Sequence, residues 1–305
     1  MTLYIFNPEH DLCLANGDPN YVPPASALDF AEKACGVMRI IYGEDAAVTT
    51  AAGFGDWLRQ HASDRLEKIV PWGWDARLKE TLLRSGADSS LLPDDRHLEI
   101  IRKMQHRSTI LPLQPHSHKV VGVEEVQELL VRYRCLVLKA PWSGSGRGLR
   151  WVTDALSTHD KSWIIRTVAM QGCVIAEQRQ RVKDDFAIEF RVHDGEVSVA
   201  GLSLFVTQSG VYRHNILLSD DAIRKRVGLT LDMENKLKKW IGLNVAPCYN
   251  GCIGIDMLAV EEGGLLVSEM NLRHTMGLAA HCFLEKNPGR EGEKWECVRV
   301  NAIKP

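Results

Sequence analysis

Apolar residues run or alternate through residues 251–258 and again through 265–272, and Glu261, Glu262, Gly263 and Gly264 lie between the two stretches. Period-two alternation on either side of a short Gly-containing connection predicts two antiparallel strands joined by a hairpin. The same pattern predicts strands at 135–139, ending on Lys139, at 149–152 and at 173–178. A further alternating run at 185–193 meets Asp194-Gly195, a hairpin signal, and continues into a partner strand over 196–201. Nearer the start, apolar runs at 3–6 and 37–42 predict a first and a second strand, and 65–70 leads into another. Helical periodicity predicts helices over 25–35, with Ser26 placed as its cap, and over 75–85, 96–106 and 220–240. Lys236, Lys238 and Lys239 fall on a solvated face of the last of these. Trp72-Gly73-Trp74 reads as a turn. Past Met276 the chain reads as polar, with a loop at 287–292 and a final edge strand at 295–300. Strands and helices mixed in the first third predict an α/β domain there.

The polar exceptions inside these strands carry the chemistry. Asp256, Glu269 and Asn271 interrupt the predicted hairpin at 251–273, where an unpaired carboxylate is costly. Two readings are open at this point. Arg273 closes a buried polar network, or a hard cation lies between the carboxylates. Oxygen ligands with no soft partner suit Mg2+ or Mn2+, and Mg2+ commonly takes one or two carboxylates together with substrate phosphates.

Upstream, Lys139 ends its strand just before Ser143, Gly144, Ser145, Gly146, Arg147 and Gly148. Accessible backbone N–H groups in such a segment wrap phosphate oxygens, and Arg147 adds positive charge. An ordinary Gly-rich hairpin turn is the competing reading. No Gly-Lys-Ser/Thr closes a Walker loop, and the GxGxG spacing lacks the context of the dinucleotide fingerprint. The loop at 7–18 follows the first strand, and open α/β sheets bind ligands outside the carboxyl ends of their strands. Glu9, His10 and Asp11 are therefore candidate acceptor contacts, a capped and hydrogen-bonded loop being the alternative.

In this order, Lys139 with its Ser/Gly loop, the strand ending at Glu177, the 185–195 hairpin and the Asp256…Glu269-Met270-Asn271-Leu272-Arg273 motif resemble the ATP-grasp superfamily. The resemblance spans roughly residues 95–280. It implies the ATP-grasp fold, with a small N-terminal α/β domain over 1–112, a lid subdomain over 113–176 and a C-terminal subdomain with the metal site over 177–305. ATP would lie between the two α+β clamping subdomains, so the implied fold class is α/β and α+β. Lys139 would contact its phosphates, residues 143–148 would close over them, and Glu177 with Gln178 would meet the adenine edge. Asp185 would be a ribose or hinge contact. Asp256, Glu269 and Asn271 would hold Mg2+ (or Mn2+), with Arg273 steadying phosphate or substrate charge. Lys103 or Arg107 would supply the early basic contact to the nucleotide, and Arg213 and His214 fall where acceptor contacts are found. Leu272 replaces a frequent proline, and Gln178 stands where an acid is frequent.

The implied activity is ADP-forming ligation of a small-molecule or peptide carboxylate to an amine or thiol through an acyl phosphate. A small-molecule kinase and a non-catalytic nucleotide-binding protein are the alternatives. Composition adds exclusions. Lys and Arg number 37 against 39 Asp and Glu, so there is no basic field to suggest nucleic acid as a partner. No long apolar segment suggests a membrane, and the start of the chain has no leader-like pattern. Eight cysteines, mostly among apolar neighbours, read as reduced, so a cytoplasmic enzyme is expected. Cys248 and Cys252 lack a second pair at zinc spacing, and His116 and His118 read as solvated loop residues.

Overall fold

The computed structural model describes residues 1–143 and 148–297. β1 (Thr2–Phe6) buries Leu3 and Ile5 in one apolar cluster and Phe6 in another, as a central parallel strand does. It is flanked in parallel by β2 (Ala47–Thr50) and β3 (Lys68–Pro71). The strand expected at 37–42 is instead a helix, Val37–Tyr42, which follows the helix Ala25–Ala34. A six-residue apolar run carries no decisive period. Here it buries Val37 and Met38 against Phe6 and the C-terminal helix. The cap of Ala25–Ala34 is Pro24, and Ser26 lies inside the first turn.

The next sheet is antiparallel throughout. β4 (Ser117–Val120), β5 (Cys135–Lys139), β6 (Leu149–Thr153) and β7 (Val174–Gln178) lie in the order β4-β7-β5-β6. The helices Val123–Tyr133 and Thr158–Gln171 cover one face through Val126, Leu130 and Ile164. His118 belongs to β4 and faces the Tyr133 hydroxyl at 3.3 Å, so it is not a loop residue.

The third sheet holds β8 (Val182–His193), β9 (Glu196–Gln208), β10 (Val211–Ile216), β11 (Gly251–Val260), β12 (Leu265–Asn271) and β13 (Lys294–Trp295), in the order β12-β11-β8-β9-β10-β13. Alternation along β8 sends Phe186, Ile188, Phe190 and Val192 into the main core and leaves Asp185, Ala187 and Glu189 on the opposite face. The helical stretch expected over 220–240 is two helices, Asp220–Val227 and Leu231–Asn244. Gly228, in the left-handed region at φ 72°, ends the first, and the Thr230 hydroxyl caps the second.

The chain past Met276 is not polar as expected. Thr275 Oγ1 accepts from Leu278 N–H and starts the helix Met276–Lys286, which buries Leu278, Ala279, Ala280, Phe283 and Leu284. Trp295 pairs with Asn215, while residues 298–300 of the expected edge strand lie outside the described residues. No disulfide joins the cysteines among the described residues. Among the described residues no helix is long and apolar enough to cross a membrane.

Candidate active site

A cleft of about 1550 Å³ lies between the four-stranded sheet, the open face of the six-stranded sheet and the loop after β1. Pockets for single drug-sized ligands hold roughly 300–1,000 Å³, so this one has room for two substrates.

The hairpin of β11 and β12 forms one wall. Asp256 pairs directly with Glu269, and one row further Gly254 pairs with Asn271. A bulge follows, since Met257 is next opposite Val267, and it leaves Ser268 as the extra residue facing Lys139. Asn271 Nδ2 donates to Asp256 Oδ2 at 3.2 Å, and Arg107 Nη2 donates to Glu269 at 2.6 Å. Desolvation, and then the Glu269 charge, hold the Asp256 carboxyl well above the usual range. Two repelling carboxylates and an amide oxygen at one spot fit a hard cation. No three His, Cys, Asp or Glu side chains cluster among the described residues, so such an ion would draw its other ligands from substrate or water.

Across the cleft, Lys139 Nζ lies 2.7 Å from Glu177 and donates to Ser268 Oγ at 3.1 Å. Glu177 Oε1 is buried without a partner. Gln178 lines the cleft beside it, and Asp185, whose pKa is raised by burial, accepts from Thr207 Oγ1 at 2.9 Å. Ser143 accepts from Arg107 at 2.7 Å, and Gly148 packs over it. Gly144, Ser145, Gly146 and Arg147 lie outside the described residues. Of the two early basic candidates, Arg107 lines the cleft and also donates to Ala140 O at 2.5 Å. Lys103 is on the surface, paired with Glu99.

The loop after β1 meets the end of β12. Arg273 donates Nε and Nη2 to the two Asp11 oxygens, each at 2.9 Å, and Nη2 also reaches Asn271 Oδ1 at 3.0 Å. Burial works against the Asp11 carboxylate, yet Arg273 brings its pKa below the ordinary value. Glu9 is buried against Arg77 at 2.6 Å, its Oε2 unpartnered, and burial raises its pKa. His10 does not line the cleft. A carboxylate only accepts, so His10 Nδ1 donates to Asp75 at 3.2 Å, and Nε2 receives the Gln105 amide at 3.2 Å. Gln105 Oε1 accepts from Leu272 N–H at 2.9 Å, so this chain braces the backbone between Asn271 and Arg273. Arg213 is exposed at the cleft rim, whereas His214 sits beyond the β10 irregularity, opposite Val206, and does not line the cleft.

The sequence reading passed over Glu189, Ser203 and Thr275, which line the same cleft. The alternation that placed Asp185 also places Glu189 on its face, and that signal was available. Burial pushes the Glu189 carboxyl up to about 7, against the opposing hydrogen bonds from Thr275 and Ser203. Its ordinary value is 4.5, so the folded chain holds this proton more tightly than the unfolded one. The stability it contributes is present below about 4.5 and is lost as pH rises through about 7. The stability difference between wild type and Glu189→Gln is expected to shift against wild type by about 3 kcal/mol from pH 4.5 to pH 7.5. Urea unfolding of both across that range checks this, and a pH-independent difference would contradict the burial.

No family model matches this sequence, and no curated protein does. Solved structures do match. N5-carboxyaminoimidazole synthetase from Staphylococcus aureus, solved with ADP, is 12% identical with a TM-score of 0.54, over 97% of this chain and 78% of that one. Biotin carboxylase from Campylobacter jejuni is 14% identical at a TM-score of 0.56, over 93% and 67%. D-cycloserine synthetase is 14% identical at 0.56, over 94% and 99%. The chain has the ATP-grasp fold.

Proposed function

We propose that this chain is an ATP- and Mg2+-dependent ligase that activates a substrate carboxylate as an acyl phosphate for attack by an amine or thiol. The observation that carries the reading is the facing pair Asp256 and Glu269, with Asn271, set across one large cleft from Lys139 and Glu177. Structural neighbours described as synthetases and a carboxylase, two of them with ADP or an ATP analogue, support it.

In this reading Lys139 exchanges its Glu177 and Ser268 contacts for nucleotide phosphate. Gln178 and the backbone beside Glu177 meet adenine, and Asp185 with Thr207 meets the ribose. Ser143 and Gly148 border the phosphates, and Arg107, which donates to Ser143, reaches them from the same side. Asp256, Glu269 and Asn271 would hold Mg2+, which when bound neutralises phosphate charge. Arg273, fastened by Asp11, Asn271 and the His274 carbonyl, offers its remaining N–H and its charge to the substrate carboxylate that attacks ATP. Asp11 therefore acts as a positioning residue. Positioning and charge offset are what phosphoryl transfer asks of a protein, so no nucleophilic Ser or Cys is required.

The test is ADP release with Mg2+ across a panel of carboxylate and amine pairs, followed by product analysis. A phosphorylated acceptor without dependence on the amine would make the chain a kinase instead. Lys139→Ala is expected to weaken ATP binding about tenfold or more, the scale of a hydrogen bond to a charged group. Unchanged ATP affinity in that variant would remove Lys139 from the site.

A further inference from the structure

Glu189 is only 2% exposed, on the cleft face of β8, between Gly254 of β11 and Gly201 of β9. Its Oε1 accepts from Thr275 Oγ1 at 2.7 Å and from Ser203 Oγ at 3.3 Å. Its Oε2 receives no hydrogen bond from the described residues. Among the described residues, Arg273 and His281 are the cationic groups that favour its charged form most. Arg273 is taken up by Asp11, and His281 by Asp220 at 3.2 Å. A buried carboxylate without a counter-ion of its own is costly, and a cationic ligand would relieve that cost.

The neighbouring atoms select the same kind of ligand. Ser203 Oγ spends its proton on Glu189 and keeps two lone pairs. Thr275 Oγ1 does likewise, accepts from Leu278 N–H, and keeps one. A carboxylate oxygen and two hydroxyl oxygens thus converge as acceptors, whereas an ammonium group has three donors and no acceptor. An anion placed here would meet Glu189 head on. Gly277 lets the start of the helix Met276–Lys286 come directly against this pair, where any side chain would run into Ser203 and Glu189, and Glu189, Ser203 and Thr275 still line the cleft. Met276 beside it, Phe30 and Trp72 belong to one apolar cluster and line the same cleft, so this part of the wall is apolar.

The location relative to the metal hairpin fits a second substrate. Ala187 pairs with Asp256, and Glu189 lies two residues further along β8, a step of roughly 7 Å. Asp185, the ribose candidate, lies the same step in the opposite direction.

We propose that Glu189, Ser203 and Thr275 form a subsite for a protonated primary amine on the second substrate, borne by an apolar body that runs along Met276 toward Phe30 and Trp72. The proposal rests on the ligase reading for what the subsite serves. The probes are n-butylammonium and butyrate, each titrated into the full chain with binding followed by NMR, and MgADP binding is measured separately on the same samples. Wild type is expected to take butylammonium in preference to butyrate. Glu189→Gln should weaken butylammonium about tenfold, and Ser203→Ala by a smaller factor, with MgADP affinity unchanged in both. Equal binding of the two probes, or full butylammonium affinity in a folded Glu189→Gln, overturns the subsite. If Glu189→Gln does not fold, the Ser203→Ala arm decides in the same way. A wild-type chain that takes butylammonium but not MgADP keeps the amine subsite and loses the ligase. One that binds MgADP but does not prefer the amine loses the subsite alone.

Discussion

Asp256→Asn is expected to lower Mg2+-dependent nucleotide turnover by about 10²- to 10³-fold, the scale of removing one group that offsets charge in the transition state. It should at the same time make the metal-free chain slightly more stable. The second effect is the sharper one. Asp256 and Glu269 are direct cross-strand partners, and like charges directly opposite each other destabilise a sheet by up to about 1 kcal/mol. The desolvation that raises the Asp256 pKa works in the same direction. Neutralising one member removes the repulsion, and an asparagine oxygen still accepts from Asn271. In a purely structural network the carboxylate would be held by its partners, so the substitution would weaken the fold. ADP release with Mg2+, and urea unfolding in EDTA, read the two effects separately. Normal turnover, or a drop in metal-free stability, would remove Asp256 from the metal site.

Much of this wall was legible in the sequence because strand alternation is a local property. The apolar pattern across 251–258 and 265–272 put Asp256, Glu269 and Asn271 in two paired strands, while their register and the bulge at Ser268 are set by the fold. Lys139 and Glu177 were found because each ends an apolar run. What escaped depended on tertiary context. Residues 37–42 carry an apolar run too short to distinguish helix from strand, and packing against Phe6 and the C-terminal helix decides it. His10 and Asp11 are adjacent in a polar loop, yet one turns inward to Asp75 and the other outward to Arg273. Only the helix His10–Asn16, which begins there, separates their directions. The helix Met276–Lys286 escaped for a different reason. Its Thr275 cap and its apolar positions 278, 279, 280, 283 and 284 are a local helix signal, present in the sequence itself.

Arg107→Met is expected to destabilise the metal-free chain by about 3 kcal/mol, at the lower end for breaking a buried ion pair because Glu269 keeps some solvent contact. The guanidinium is 7% exposed and joins three segments. It donates to Ala140 O and Ser143 just beyond β5, and to Glu269 on β12. Removing it strands Glu269 beside Asp256 and unties the end of β5 from the metal hairpin. Arg107→Lys should fall between wild type and Arg107→Met, because an ammonium on a single stem does not reproduce a planar fork that serves several acceptors. Mg2+ provides the decisive comparison. If the same two carboxylates bind the ion, saturating Mg2+ should restore more stability to Arg107→Met than it adds to wild type, since in the variant it also replaces the lost positive charge. Urea unfolding of the three proteins with and without Mg2+ measures this. A loss under 1 kcal/mol, or an equal Mg2+ increment in variant and wild type, would mean that Arg107 holds the end of β5 alone and that Glu269 does not depend on it.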